Sequence, residues 1–255
     1  MNDKEKTNMR PLKQILSGML LISFLSTPAF AQDAQDILKK ADDKLFPKSY
    51  ESYRKIINEE PDGKKKEFVF FTVKKGANTV ALVYLSPASD KGRSVLRIGG
   101  DVWLYIPNVG KPIRSTSMQS ITGGIFNNAD IMALDYDVEY QASFLEQGEQ
   151  EDLLQLKAKT KTVAYDSVKM WLTKDTLLVR KIECYSASNM LIKTLEFKEM
   201  KDFGNGLVRP SVIETTSPLS KGYRSIMIYA GIKAREFPDE VFTLNYLPKL
   251  ENLRE

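Results

Sequence analysis

The chain has 255 residues, 42% hydrophobic and 27% charged, with a formal net charge of +4, the profile of an ordinary globular protein with no disordered or Gly/Pro-rich tract. It has no histidine and a single cysteine, Cys184. That excludes a Ser-His-Asp triad, a Cys-His pair, a His- or thiolate-held metal and any intramolecular disulfide.

The first thirty-one residues read as a leader. Lys4, Lys6, Arg10 and Lys13 precede the apolar stretch Ile15 to Leu25, which is followed by Ser26-Thr27-Pro28 and Ala29-Phe30-Ala31. A basic start, a short apolar core and an A-x-A end predict a secretory signal cleaved after Ala31. The apolar core is shorter than the ~20 residues a membrane span requires. Cleavage leaves residues 32–255 as one exported domain, placed in the periplasm by the resemblance given below. It removes four basic and two acidic side chains, so the net charge falls from +4 to +2. That balance gives no reason to expect a nucleic acid partner.

Within that domain, Asp33 to Phe46 carries Ala34, Ile37, Leu38, Ala41 and Leu45 at helical spacing, with Asp33 as N-cap and Pro47 as the stop. The period then changes to two. Strands are predicted at 49–59, 67–75, 78–85, 93–98 and 101–106, separated by Pro61-Asp62-Gly63, Gly76-Ala77-Asn78, Asp90-Lys91-Gly92 and Gly99-Gly100. Connections this short join antiparallel neighbours. From Ser115 to Leu134 the alternation is lost; Met118, Ile121, Ile125 and Ile131 recur at roughly helical spacing, interrupted by Gly123-Gly124. Two short helical pieces with a flexible joint are expected there. Strands resume at 135–144, 152–159, 167–172, 178–185, 190–199, 207–216 and 223–234, with Cys184 a buried thiol sharing a strand face with Ile182.

Helical episodes inside a long meander define an α+β pattern. A single antiparallel sheet of about eleven or twelve strands curls rather than lying flat, and the helical segments are the elements able to cover its concave face. The strand at 101–106 is apolar on both faces, with Val102, Leu104 and Ile106 on one and Trp103 and Tyr105 on the other. One face is therefore expected to line the inside of the curl and the other to pack beneath another segment.

Several residues in this order resemble the LolA-like outer-membrane lipoprotein-sorting family. They are Pro87, Asp90, Gly92, Leu96 and Arg97, then Trp103-Leu104-Tyr105-Ile106-Pro107 with Arg114. Gly124, Phe126, Asn128 and Asp130 match its stretch of a glycine followed by Phe-x-Asn-x-Asp, and Asp239-Glu240-Val241-Phe242 the phrase before its last strand. The resemblance spans about residues 49 to 247. It implies a strongly curved, incomplete antiparallel β-barrel, a half-barrel, with helices forming a lid over a hydrophobic cavity. It further implies a monomeric, cofactor-free periplasmic carrier or chaperone, not an enzyme. Such a carrier takes the acyl chains of lipoprotein or lipid from an inner-membrane exporter to an outer-membrane acceptor. The family's lid-locking arginine is not assigned by sequence, because Arg54, Arg97 and Arg114 all lie on or near strands.

Carrying a lipid needs no reaction chemistry, only a place for methylenes: about 0.8 kcal/mol per CH₂, or roughly 13 kcal/mol gross for a ~16-carbon chain. The cavity candidates are Trp103, Leu104, Tyr105 and Trp171 on strands and Met118, Ile121, Ile125 and Phe126 on the lid, with Gly123 and Gly124 as its hinge. Taken singly, each is also an ordinary core residue. An adaptor of a membrane transporter, with no lipid cargo, is the alternative on the same fold. A hydrolase would need Asp135, Asp137 and Glu139, which alternate on a predicted strand face; a solvated face accounts for them, and no G-x-S-x-G elbow is present.

Overall fold

The computed structural model describes residues 33–254. The leader and its cleavage site after Ala31 lie outside the described residues. Helix α1 (Ala34–Leu45) begins where Asp33 accepts the Gln35 N–H at 3.0 Å, and buries Ala34, Ile37, Leu38, Ala41 and Leu45.

Six strands follow: β1 (Ser49–Glu59), β2 (Lys65–Lys75), β3 (Thr79–Ser86), β4 (Ser94–Ile98), β5 (Asp101–Tyr105) and β6 (Ile113–Ser115). After a crossover containing α2 (Asn128–Ile131) and α3 (Tyr136–Glu139) come β7 (Tyr140–Gln147), β8 (Glu151–Ala158), β9 (Ser167–Thr173) and β10 (Val179–Tyr185). The last three are β11 (Leu191–Asp202), β12 (Val208–Thr216) and β13 (Arg224–Ala234). All thirteen form one antiparallel sheet in the order β6-β5-β4-β3-β2-β1-β13-β12-β11-β10-β9-β8-β7.

The sheet is a curved, open half-barrel. Edge strands β6 and β7 are not paired with each other, yet Leu82, Val95 and Val102 from one wing share a core with Leu154, Val168 and Met170 from the other. Register shifts at Tyr53/Arg54, Val69/Phe70, Phe144/Glu146 and Cys184/Tyr185 add local twist of the kind that curls a sheet. The chain reaches one edge at β6 and resumes at the other with β7, and residues 116–139, which join them, cover the concave face. Both faces are apolar along β5. Val102 and Leu104 belong to the concave core, whereas Trp103 and Tyr105 pack on a second core beneath the C-terminal 3-10 segments Asp239–Phe242 and Leu247–Leu253.

Three sequence expectations are corrected. Strand β6 adds a thirteenth, too short at three residues to show a period. The two helical pieces expected between 115 and 134 reduce to α2, because Asn127 and Asp130 form a reciprocal capping box that starts a helix only there. The strand predicted from 135 begins instead as α3. Its Tyr136 and Asp137 N–H groups donate to the Asp42 carboxylate of α1 at 3.0 and 2.8 Å, a cap supplied from far along the chain. Asp135, Asp137 and Glu139 therefore do not alternate on a strand.

Candidate functional site: the covered concave face

The concave face is apolar but not dry of charge. Leu45, Phe46, Phe126, Tyr140, Tyr165, Val168, Leu195, Ile213, Met227 and Tyr229 enclose a cavity beneath the crossover. For the centres of water-sized molecules its volume is about 50 Å³, room for a few waters and far below the few hundred Å³ of a typical ligand site. The conformation described is shut.

What shuts it is a set of polar side chains that rise from the sheet and bind the crossover. On β1, Arg54 donates from Nη1 to Ile131 O at 2.5 Å and from Nη2 to Thr72 Oγ1 at 2.6 Å. Arg97 on β4, fully buried, donates to Met132 O at 3.1 Å and pairs with Glu139. Lys193 on β11 reaches Ile125 O at 2.5 Å and Asp130 Oδ2 at 2.7 Å. Lys74 on β2 pairs with Asp135. Neutral contacts add to these: Asn58 Nδ2 to Thr122 O at 3.0 Å, Tyr84 OH to Ile121 O at 2.8 Å, and the Ile125 N–H to Ser225 Oγ at 3.0 Å. Of the three candidate locking arginines, Arg54 and Arg97 bind the crossover's backbone. Arg114 pairs with Asp101 and lies over the Trp103 ring.

Burial sets the electrostatics of this layer. It pushes the Asp42 carboxyl up to about 7, against the two N–H groups that favour its ionised form. It also raises Glu139, opposed by the Arg97 charge, and raises the Cys184 thiol, which is buried and unreactive. Among the described residues no group of His, Cys, Asp or Glu could hold a metal, and no helix is long and apolar enough to cross a membrane.

The sequence-derived cavity residues separate into two sets. Phe126 is fully buried against the cavity, and Leu104 and Ile121 are partly buried on the same core, beside a groove between β5, β6 and the crossover. Ile125 is half-buried, and Met118 is 49% exposed at the outer surface of the crossover. Trp103 and Tyr105 lie on the convex core. Trp171 alternates with Val168, Met170 and Leu172 of the concave core, so it faces outward, with the Lys181 ammonium 4.0 Å from its ring. Gly123 has φ +72° and open space around it, whereas a Cβ on Gly124 would fall 2.0 Å from Asn58 Oδ1. Sequence reading missed Arg209 and Tyr229, since period-two alternation marks two faces without saying which becomes concave, and Phe46, which caps the C-terminus of α1 and belongs to no periodic face.

A half-barrel cupping an apolar cavity, shut by a crossover pinned through its backbone, is a cavity-bearing fold of a definite class. A family model described as an uncharacterized protein matches residues 76–249. Among solved structures, a LolA superfamily protein from Nitrosomonas europaea is 31% identical with a TM-score of 0.78, covering 85% of this chain and 100% of that one. The chain belongs to the LolA superfamily. A DUF1329 family protein from Desulfovibrio piger (21% identity, TM-score 0.72, 84% and 97% coverage) shares its fold. So does an outer membrane lipoprotein-sorting protein domain from Vibrio parahaemolyticus (17%, 0.72, 84% and 98%). No curated protein matches the chain.

Proposed function

We propose that the mature protein, residues 32–255 after cleavage behind Ala31, is a monomeric periplasmic carrier, not an enzyme. It holds the acyl chains of a lipoprotein or lipid on the concave face between an inner-membrane exporter and an outer-membrane acceptor. The observation that carries this reading is the pairing of an apolar, aromatic-lined interior with a cover attached mainly by hydrogen bonds from fixed side chains to cover groups, many of them carbonyls. The outer membrane lipoprotein-sorting domain from Vibrio parahaemolyticus, which shares the fold, supports the cargo class.

An apolar chain enters by displacing the crossover. Water then takes over the freed carbonyls, so each such bond costs about 0.5–1.5 kcal/mol net where the donor is neutral and about 1.5–3 kcal/mol where it is Arg or Lys, while each CH₂ buried returns about 0.8 kcal/mol. Leu104, Ile121, Ile125 and Phe126 meet the chain first as the cover lifts. Met118, half-exposed in the shut form, provides an adaptable contact once it turns inward. Gly123 serves as the joint, with Gly124 lying close against Asn58 in the shut form. Alanine at Gly123 disfavours the left-handed backbone by about 1 kcal/mol, and Gly123→Ala is expected to speed ligand exchange several-fold.

The deciding experiment is native mass spectrometry with lipid extraction on protein purified without detergent. A stoichiometric acylated species supports the carrier. An empty monomer that also refuses acyl probes overturns it and leaves a transporter adaptor on the same fold.

A further inference from the structure

Inside the cavity wall sits a cation with nothing to balance it. Arg209 on β12 is fully buried and lines the cavity. Its guanidinium is packed by two rings, Phe46 at 4.1 Å and Tyr229 at 4.5 Å from Cζ to centroid. Nε donates to Pro210 O at 3.0 Å and Nη1 to Leu45 O at 2.5 Å, but Nη2 has no hydrogen-bond partner. Among the described residues no carboxylate pairs with it. The two carboxylates in the cavity lining are already engaged, Asp130 by Lys193 and Glu139 by Arg97. A second guanidinium, Arg54, lies 5.6 Å from the same Tyr229 ring; among the described residues it too lacks a carboxylate, and its Nε is unpartnered.

The interior therefore holds two buried positive charges around one tyrosine, with an unused N–H on each. Ring faces orient a guanidinium and lower the cost of its burial, but they supply no negative charge. A buried charge without a counter-charge is among the least favourable arrangements in a protein, and an orphaned buried donor calls for a missing partner. Burial lowers the Arg209 pKa; Tyr229, through a side-chain hydrogen bond, and Tyr50 oppose that, and the neighbouring Arg54 adds to it, so the partners present are neutral phenols and no carboxylate.

We propose that Arg209 is the internal counter-ion for an anionic oxygen at the head of the bound chain, so that the cavity selects ionised amphiphiles over neutral chains of equal length. The guanidinium edge suits a carboxylate or a phosphate, since both accept its parallel N–H groups. Arg54 adds the second positive charge beside the same ring and also holds the cover at Ile131. A ligand oxyanion in this position is thus felt by the crossover as well as by the cavity. The proposal rests on the carrier reading and makes it specific.

The test is displacement of a neutral fluorescent naphthylamine from full-length mature protein by three ligands of one chain length: laurate, methyl laurate and dodecyl phosphate. Laurate or dodecyl phosphate is expected to bind at least tenfold more tightly than methyl laurate, and the better of the two identifies the head group as carboxylate or phosphate. Arg209→Met should remove that preference while leaving methyl laurate within about twofold of the wild-type value; Arg209→Lys should keep part of it. Equal binding of all three by the wild-type protein overturns the proposal and leaves the carrier intact. Preference retained in Arg209→Met also overturns it. Binding of none of the three overturns the carrier reading along with it. The wild-type comparison decides the matter even where Arg209→Met fails to fold.

Discussion

The two faces of the sheet solve the same problem differently. On the convex side, Phe71, Val73, Ala81, Val83 and Leu96 meet Phe237, Val241, Phe242, Leu247 and Leu250 of the C-terminal segments. Polar links there are the buried Ser94 Oγ donating to Leu247 O at 2.8 Å, Arg235 Nη1 donating to Leu253 O at 2.9 Å, and the Lys75–Asp239 and Lys91–Glu251 pairs at the surface. On the concave side the covering crossover is held by side chains of Arg54, Asn58, Lys74, Tyr84, Arg97 and Lys193. Lifting the convex cover exposes a continuous apolar patch, at about 25 cal/mol per Å² with nothing in return. Lifting the concave cover also exposes Phe126, Ile131 and Met132, but it exchanges in addition a set of directional bonds that water or a ligand can replace. On the carrier reading, the convex cover stays and the concave cover comes away.

This contrast breaks most visibly at Arg97. Arg97→Met strands Glu139 in a buried site and frees Met132 O, and should cost about 3–5 kcal/mol in urea unfolding while raising uptake of an apolar dye. A stability loss without dye uptake would mean that the crossover is not a separable cover. Leu250→Ala, at a fully buried position of the convex core, should cost about 3 kcal/mol by cavity formation with dye uptake and acyl binding unchanged.

The Asp42 carboxyl sharpens the comparison through pH. Its folded pKa of about 7 lies above its unfolded value, so the folded state binds the extra proton. Its contribution is full below about pH 4 and lost as pH rises through 7. Between pH 4.5 and 6 this group alone removes roughly 2 kcal/mol, at about 1.4 kcal/mol per pH unit. Asp135 and Lys74 also face it. The wild-type minus Asp42→Asn difference in unfolding free energy should therefore fall with rising pH, and a flat difference would show that Asp42 stays ionised. The smallest effect belongs to Trp171→Ala, which loses the Lys181 contact and about 0.5–1 kcal/mol with no change in ligand binding. A binding defect in that variant would return Trp171 to the site.

Much of this was legible in the sequence because local chemistry decides it. Asp33 and Pro47 bracket α1, and the Gly- and Pro-bearing turns fall between the strands they were read to separate. Part of the cavity was not legible. Arg209 read as an ordinary strand residue, and Arg97, though one of three candidate locking arginines, could not be told from Arg54 and Arg114, since only the curl, a property of the whole sheet, decides which side chains turn inward. The start of α3 depends on a carboxylate about ninety residues away, a contact that no local window contains. The alternation at 101–106 placed Trp103 and Tyr105 opposite Leu104, but alternation does not say which face becomes concave.

The seam between β1 and β13 has a kinetic consequence. These strands come from opposite ends of the domain, yet pair from Tyr50 with Ala234 to Glu59 with Arg224. Each wing is a meander that can zip locally, but the wings meet only when the last strand arrives, and such non-local pairing is slow. Until then residues 116–139 have no bowl to span. Protection from hydrogen exchange at the seam and in the crossover should thus appear together, late, and after both wings. A chain halted before residue 224 would hold two half-sheets, neither of them a container.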